Sequence, residues 1–141
     1  ENAKLLVIAI DGREQITELV KYVRHHHPDV HIVARAVDRD HVYDLWHAGC
    51  RDIIRETYDS SLRMARSAMQ SIGYSSNQAA QLTEAFNELD RGSMVMAADH
   101  YDPAVPMKDN EAYMSRVREL RCDWEAEMTL RIEAIMDEKT T

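Results

Sequence analysis

Arg55 is the residue whose type and position best suit ligand binding. It ends the short segment Asp52-Ile53-Ile54, which is typical of a strand, and it precedes Glu56-Thr57, which favours a helix start. Ligands of open parallel sheets bind beyond the carboxyl ends of the strands. A guanidinium there can hold a carboxylate through two parallel hydrogen bonds. We therefore weigh a carboxylate-binding arginine against an equal alternative, a structural ion pair with Glu56 or another nearby acid.

Histidine is frequent, but its spacing does not support a metal site. Consecutive residues such as His25, His26 and His27 do not share a helix face. A closed zinc site needs three or four ligands in a fixed shell. We expect a hydrated helix end there, favoured by the helix dipole. We likewise expect no metal at His41, Asp44 and His47.

The two cysteines are far apart in sequence. Cys50 lies between Gly49 and Arg51, where exposure beside a cation would lower the pKa of a thiol. Because Cys122 is distant, we favour an ordinary thiol. Two cysteines are too few for a secreted disulfide scaffold, so we expect a reducing compartment.

Length and charge exclude several classes of protein. The chain has 141 residues, enough for one domain or less, and its formal net charge is −8. Nucleic-acid binding requires a basic face, so we expect no nucleic-acid partner. The longest apolar run, Leu5–Ile10, is far shorter than the ~20 residues of a membrane span. We expect the polypeptide itself to be soluble.

The first part of the chain predicts alternating strands and helices. In order, these are a strand at Leu5–Ile10, a helix ending near His27, a strand at Val30–Ala36, a helix from about Arg39 to Gly49, and a strand at Asp52–Arg55. The continuous apolar first strand predicts burial on both faces. Short β-α-β-α-β connections predict parallel strands. Since three strands are few for such a sheet, we expect the chain to begin within a domain whose earlier strands are missing.

The remainder predicts helices. One follows Thr57 and closes at Gly73, and a second begins at the capping-box pair Ser75 and Gln78. A loop at 101–110 precedes a long helix from about Glu111 to Glu138. The predicted apolar stripe of that helix is Met114, Val117, Leu120, Trp124, Met128, Ile132 and Ile135.

Four ordered segments together resemble a known family. They are Val7–Asp11, Ile32–His41, Ala48-Gly49 and Arg55–Tyr58. The series resembles the second half of the Rossmann-like regulatory (RCK/TrkA-N) domain of Kef-type, glutathione-gated potassium efflux systems, with the family's C-terminal helices following. The resemblance covers about residues 3–100. It implies an α/β fold with a partial Rossmann-like parallel sheet of three strands. Residues 1–73 would be the second half of that domain with its crossover helix, and 74–141 a helical C-terminal extension.

The resemblance also implies roles for individual residues. The family's arginine at the position of Arg55 contacts glutathione at a dimer interface, and Asp90 matches a polar position that helps to hold the tripeptide. The family's segments at Asp11 and Arg35 border a nucleotide pocket, so these two residues would form half of such a site. Judged from residue type alone, both acids favour a structural role over ligand binding. These roles are a solvated helix position for Asp90 and a turn for Asp11.

Departures from the family pattern limit these expectations. Val37 stands where a second arginine is usual, and Asn87-Glu88-Leu89 replaces two arginines before Asp90. None of the four glycines forms a G-x-G-x-x-G fingerprint, so no helix start that cradles phosphate is recognisable. We therefore expect no cofactor in this chain, although NAD or AMP can bind the family's complete domain.

The function implied by the resemblance is regulation rather than catalysis. Homodimeric cytosolic domains would sense glutathione or its adducts and control a potassium/proton antiporter. They would lie at the cytoplasmic face of the inner membrane, on the same polypeptide as the transport domain. Two alternatives remain at this point, a fragment of an NAD-dependent dehydrogenase and a receiver-like signalling domain. No catalytic constellation supports the first, and Asp11-Gly12-Arg13 lacks the acidic cluster of the second.

Overall fold

The first compact unit of the protein is a three-stranded α/β layer. The structure, a computed structural model, describes residues 3–137, which divide into two compact units between Asp59 and Ser60. The first unit contains β1 (Leu5–Ile8), α1 (Arg13–His26), β2 (His31–Ala36), α2 (Arg39–His47) and β3 (Asp52–Arg55). The strands are parallel in the order β1-β2-β3. This confirms the predicted β-α-β-α-β fold.

Within the first unit, both helices cover the same face of the sheet. Helices α1 and α2 contact each other and both contact β2. Their apolar side chains form a core with alternate residues of the strands, including the buried Ile8 and Ile32. On the other face, Leu5 and Val7 are 54% and 60% exposed. The prediction that the first strand is buried on both faces is therefore wrong, because both helices pack on the same side.

A glycine turn sets the approach to β3. Gly49 has φ 94°, a conformation that side chains with a Cβ rarely adopt. Its N–H donates to the carbonyl of Trp46 at 3.0 Å, and the N–H of Cys50 donates to Leu45 at 2.9 Å. These two bonds end α2 as a Schellman motif, so the predicted glycine stop is confirmed.

The second unit is helical. Helix α3 (Tyr58–Ser71) begins just before the unit boundary and is followed by α4 (Ser76–Ala98), a 3₁₀ turn (Met107–Asp109) and α5 (Glu111–Asp137). The predicted capping box at the start of α4 is present in both directions. The predicted domain boundary at Gly73 keeps α3 with the sheet, whereas the compact units divide at the start of this helix.

Helices α4 and α5 pack along each other. Tyr113 and Leu120 are the buried residues of α5, and Trp124 meets Phe86 of α4 edge to face at 5.4 Å between ring centres. Ile132 of the predicted stripe is 40% exposed, and the predicted end at Glu138 lies outside the described residues. No helix within residues 3–137 is both long and apolar enough to cross a bilayer.

Candidate functional site

Arg55 occupies the carboxyl end of β3, as predicted. Its Cζ atom lies 3.4 Å from the centre of the Tyr58 ring, and the side chain is half-buried. The next residue, Glu56, donates its N–H to the carbonyl of Ala36 at 2.9 Å, which ties the strand end to β2. Stacking on an aromatic ring fixes the plane of a guanidinium. Arg55 therefore presents a pre-oriented cation where ligands of parallel sheets bind.

Tyr58 belongs to the candidate site through its contact with Arg55, and sequence reasoning gave it no role. It is the first residue of α3, three positions after Arg55. The sequence contained a signal for this contact. An arginine at the end of a strand is followed three residues later by an aromatic residue that begins a helix.

Asp90 lies on α4 in the second unit, whereas Arg55 belongs to the first. The side chain of Asp90 is buried, with 7% of the residue exposed. The favoured expectation of a solvated helix position is therefore wrong. Asp90 is one of several buried residues of α4, and one acidic residue does not show which face of a helix meets solvent.

Asp11 and Arg35 are brought together at the carboxyl ends of β1 and β2. Nη2 of Arg35 lies 2.6 Å from Oδ1 of Asp11 and donates to the carbonyl of Ile10 at 3.0 Å. The Asp11 side chain is fully exposed and that of Arg35 is 27% exposed. Nε of Arg35 is buried without a hydrogen-bond partner among residues 3–137. The pair places one cation and one carboxylate within reach of solvent at the edge of the sheet.

A second charged cluster lies at the starts of α1 and α2. Arg13 contacts Asp38 at 3.2 Å and Asp44 at 2.7 Å. Asp38 also caps α2, because its Oδ1 accepts from the N–H of His41 at 2.8 Å. Burial, and then the charge of Asp38, raise the pKa of the nearby Asp40 carboxyl. Sequence reasoning did not identify this cluster, although Asp38 directly before a predicted helix was an N-cap signal.

His41 is fully buried beneath this cluster. Its ring contacts Thr17 on α1 and the backbone of Val37 at the end of β2. Burial, and then the positive charge of Arg13, lower the pKa of the imidazole. Sequence reasoning considered His41 as a metal ligand and did not predict its burial, which includes a contact with Thr17, 24 positions away in the chain.

Cys50 is buried rather than exposed. Its Sγ lies 3.5 Å from the carbonyl of Ile32 and 3.4 Å from that of Asp52. Burial raises the pKa of the thiol, so the exposed, activated cysteine considered above is not what the structure shows. Within residues 3–137, no set of three or more His, Cys, Asp or Glu side chains is placed to hold a metal ion.

A cleft of about 750 Å³ lies at the opposite, amino edge of the sheet. Its lining includes Lys4, Leu6, Val23, His27 and Val30. Arg55, Arg35 and Asp11 do not line it. The cleft is therefore separate from the candidate residues of the carboxyl edge.

Known proteins match this chain in both of its parts. A family model for the C-terminal domain of the potassium efflux system KefB matches residues 60–138. A solved structure of the Kef C-terminal domain of Shewanella denitrificans, in AMP-bound form, superposes with a TM-score of 0.69 and is 36% identical. That match covers 72% of this chain and 64% of the Shewanella chain, so this chain spans less than two thirds of the domain it matches.

Proposed function

Because this chain belongs to the family of KefB-type potassium efflux C-terminal domains, we propose that it senses glutathione or its adducts and thereby controls a potassium/proton antiporter. The domain would lie at the cytoplasmic face of the membrane and belong to the same polypeptide as the transport segments. We prefer this function to the two alternatives, a dehydrogenase fragment and a receiver-like domain. The protein would perform no chemistry on its ligand.

Arg55 carries the proposal. Its guanidinium stands at the carboxyl end of β3 with its plane set by the Tyr58 ring. Glutathione and its adducts carry carboxylates, and a planar fork holds a carboxylate through two hydrogen bonds. A lysine would supply the charge without that geometry.

The mechanism is a shift between two states. Glutathione would hold the domains in a state that keeps the transporter closed, and a bulkier adduct at the same site would favour the open state. A ligand can shift such an equilibrium only through its different affinities for the two states. We therefore propose that the carboxylate contact at Arg55 supplies affinity for both ligands. The part of the site that contacts the added group of the adduct would distinguish the adduct from glutathione.

A dimer is part of this proposal, and α3 supports it. None of the 14 residues of α3 is buried, and Ile72, directly after the end of the helix, is 76% exposed. An amphipathic helix gains its stability from burying its apolar stripe. The stripe with Leu62, Ala65 and Met69 would pack against a second copy of the chain.

A nucleotide is the second ligand to consider. The AMP-bound Shewanella domain supports a nucleotide in complete domains of this family. In this chain, Asp11 and Arg35 would contribute half of such a site. AMP or NAD would then bind tightly only where further residues complete the pocket.

Potassium efflux from cells tests the glutathione site. Arg55→Ala in a transporter that carries this chain should abolish efflux after an electrophile challenge, because truncating one partner of a desolvated charge pair costs about 2–5 kcal/mol. Arg55→Lys should restore efflux in part. The matched control is Arg51→Ala, which removes an exposed arginine at the other end of β3. Normal gating in Arg55→Ala would leave this residue with a structural role only and refute the site.

A further inference from the structure

The His41 ring on α2 forms hydrogen bonds with α1 and with the end of β2. Its Nδ1 accepts from the N–H of Val37 at 3.1 Å, and its Nε2 lies 3.0 Å from Oγ1 of Thr17. Thr17 in turn donates its hydroxyl proton to the carbonyl of Arg13 at 3.1 Å. We call Thr17, Val37 and His41 the histidine latch.

The latch requires one protonation state of the ring. Nδ1 must be unprotonated, since it accepts from a backbone amide. The single ring proton therefore sits on Nε2 and is donated to Thr17, whose own proton is used by the Arg13 carbonyl. Both nitrogens of the neutral ring are satisfied in this arrangement, and the residue is 0% exposed. A buried polar group remains favourable only while its partners are in place.

Charged groups of α1 and of the α2 segment act on the His41 ring. Arg13 on α1 and Asp38 and Asp44 on the α2 segment act on the ring through their charges. Burial and Arg13 disfavour the imidazolium, whereas the two carboxylates favour it, and the net direction is a lowered pKa. The neutral ring is thus the form that prevails at neutral pH.

We propose that His41 is a proton-sensitive latch on the β2–α2 connection. A second proton can bind only at Nδ1, whose lone pair holds the Val37 amide. Once that nitrogen carries a proton, it cannot accept, and the N–H of Val37 loses its partner. The turn Val37–Asp38 is then released, two residues beyond Arg35 at the carboxyl edge of the sheet.

The consequence for regulation rests on the function proposed above. Proton entry through the antiporter would acidify the cytosol and act on the edge of the sheet next to Asp11 and Arg35. The domain would then respond to cytosolic pH as well as to glutathione. The latch itself needs no ligand, so its test is independent of the glutathione site.

NMR on the 141-residue chain tests the latch directly. Ring ¹⁵N shifts of His41 report its tautomer and protonation, and hydrogen exchange reports the protection of the Val37 amide between pH 8 and pH 5. We expect the Nε2–H tautomer at neutral pH and at least a ten-fold loss of Val37 protection as the ring gains its second proton. The amide of Ile16, bonded to Gly12 at 3.1 Å on the same layer, should keep its protection. An Nδ1–H tautomer at neutral pH, or Val37 protection that stays constant through ring protonation, overturns the proposal.

Two variants separate the latch from general acid sensitivity. His41→Asn removes the titrating ring but keeps a side-chain oxygen that can accept from Val37, so Val37 protection should no longer change with pH. His25→Asn removes an exposed histidine of α1 and should leave the change intact. A pH response of Val37 that survives in folded His41→Asn overturns the proposal. Should His41→Asn not fold, the wild-type ring and amide measurements decide by themselves.

Discussion

Arg35 and Asp11 form an ion pair of 2.6 Å across the carboxyl ends of β2 and β1. The guanidinium at the expected nucleotide edge is thus already engaged, by a carboxylate and by the carbonyl of Ile10. A phosphate that approaches Arg35 must displace Asp11 or accept repulsion from it. The half-site is therefore poorly disposed to bind an anion without further donors.

We accordingly expect this chain to bind AMP and NAD more weakly than micromolar. Asp11→Asn should strengthen AMP binding by less than about five-fold, since an exposed ion pair contributes about 0.2–1 kcal/mol. Calorimetry with AMP measures the affinity of the unmodified chain and of Asp11→Asn. The control is Glu14→Gln, which neutralises an exposed acid in the first turn of α1. Micromolar affinity of the unmodified chain would contradict the half-site.

Association should depend on the stripe of α3. We expect a dimer or higher oligomer, and Ala65→Glu should shift the equilibrium toward monomer because it places a charge within the apolar stripe. Ser67→Glu adds the same charge on the opposite side of the helix and should have little effect. Sedimentation equilibrium measures the outcome, and a folded monomer at high concentration would rule out the interface.

Asp90→Asn should alter gating less than Arg55→Ala. Asparagine keeps the shape of the buried side chain and adds a donor that a ligand carboxylate can use, so glutathione sensitivity should be retained or increased. Efflux dose–response curves after electrophile challenge give the comparison, with thermal unfolding to establish that both variants fold. Loss of gating as complete as in Arg55→Ala would contradict the smaller effect expected for Asp90→Asn.

Arg24 should be a major determinant of stability in the first unit. Its Nε donates to the carbonyl of Gly49 at 2.9 Å, and its Nη1 donates to those of Pro28 and Val30 at 3.0 Å each. Arg24→Met should lower the free energy of unfolding by about 1.5–3 kcal/mol, the range for hydrogen bonds to charged groups. In urea unfolding, the control Lys21→Met should cost less than about 0.5 kcal/mol, since it loses only an exposed i,i+3 pair with Glu18. Equal losses would contradict the role of Arg24.

Stability should fall with acidification because of His41. Burial lowers the pKa of His41 in the folded state, so the unfolded chain binds its proton first. The free energy of unfolding should be unaffected well above pH ~6.5. It should fall as the pH drops from there toward the folded pKa, with a slope of at most about 1.4 kcal/mol per pH unit for this one proton. The raised pKa of Asp40 acts in the opposite sense nearer pH 4.

Urea unfolding between pH 8 and pH 5 measures this dependence. His41→Asn should flatten the curve in the upper part of that range, whereas His25→Asn should leave it unchanged. A slope in His41→Asn equal to that of the unmodified chain would show that other groups cause it.

Local signals predicted much of this protein because their partners are near in sequence. The bounds of β3, Asp52–Arg55, agree with the structure, and so does the capping box of Ser75 and Gln78. The glycine stop at Gly49 is also local, since only glycine readily adopts its φ of 94°. In each case, the interacting groups lie within about one helical turn or one strand.

Burial was harder to predict because it depends on elements that are distant in sequence. Leu5 and Val7 looked like core residues but face away from α1 and α2. The sequence allowed exposure of Cys50 and favoured it for Asp90, but both residues are buried. An apolar run or a lone acid does not reveal which side of its element the rest of the chain will cover.

The sequence by itself determined the order of strands and helices, the family-like segments and the choice of Arg55 as a candidate ligand-binding residue. Only the tertiary structure decided what surrounds these residues. It joined Asp11 to Arg35 across 24 positions and His41 to Thr17 across the same separation. The physical reason is that backbone preferences act between near neighbours, whereas the charge and hydrogen-bonding state of a side chain depend on whatever segments pack against it.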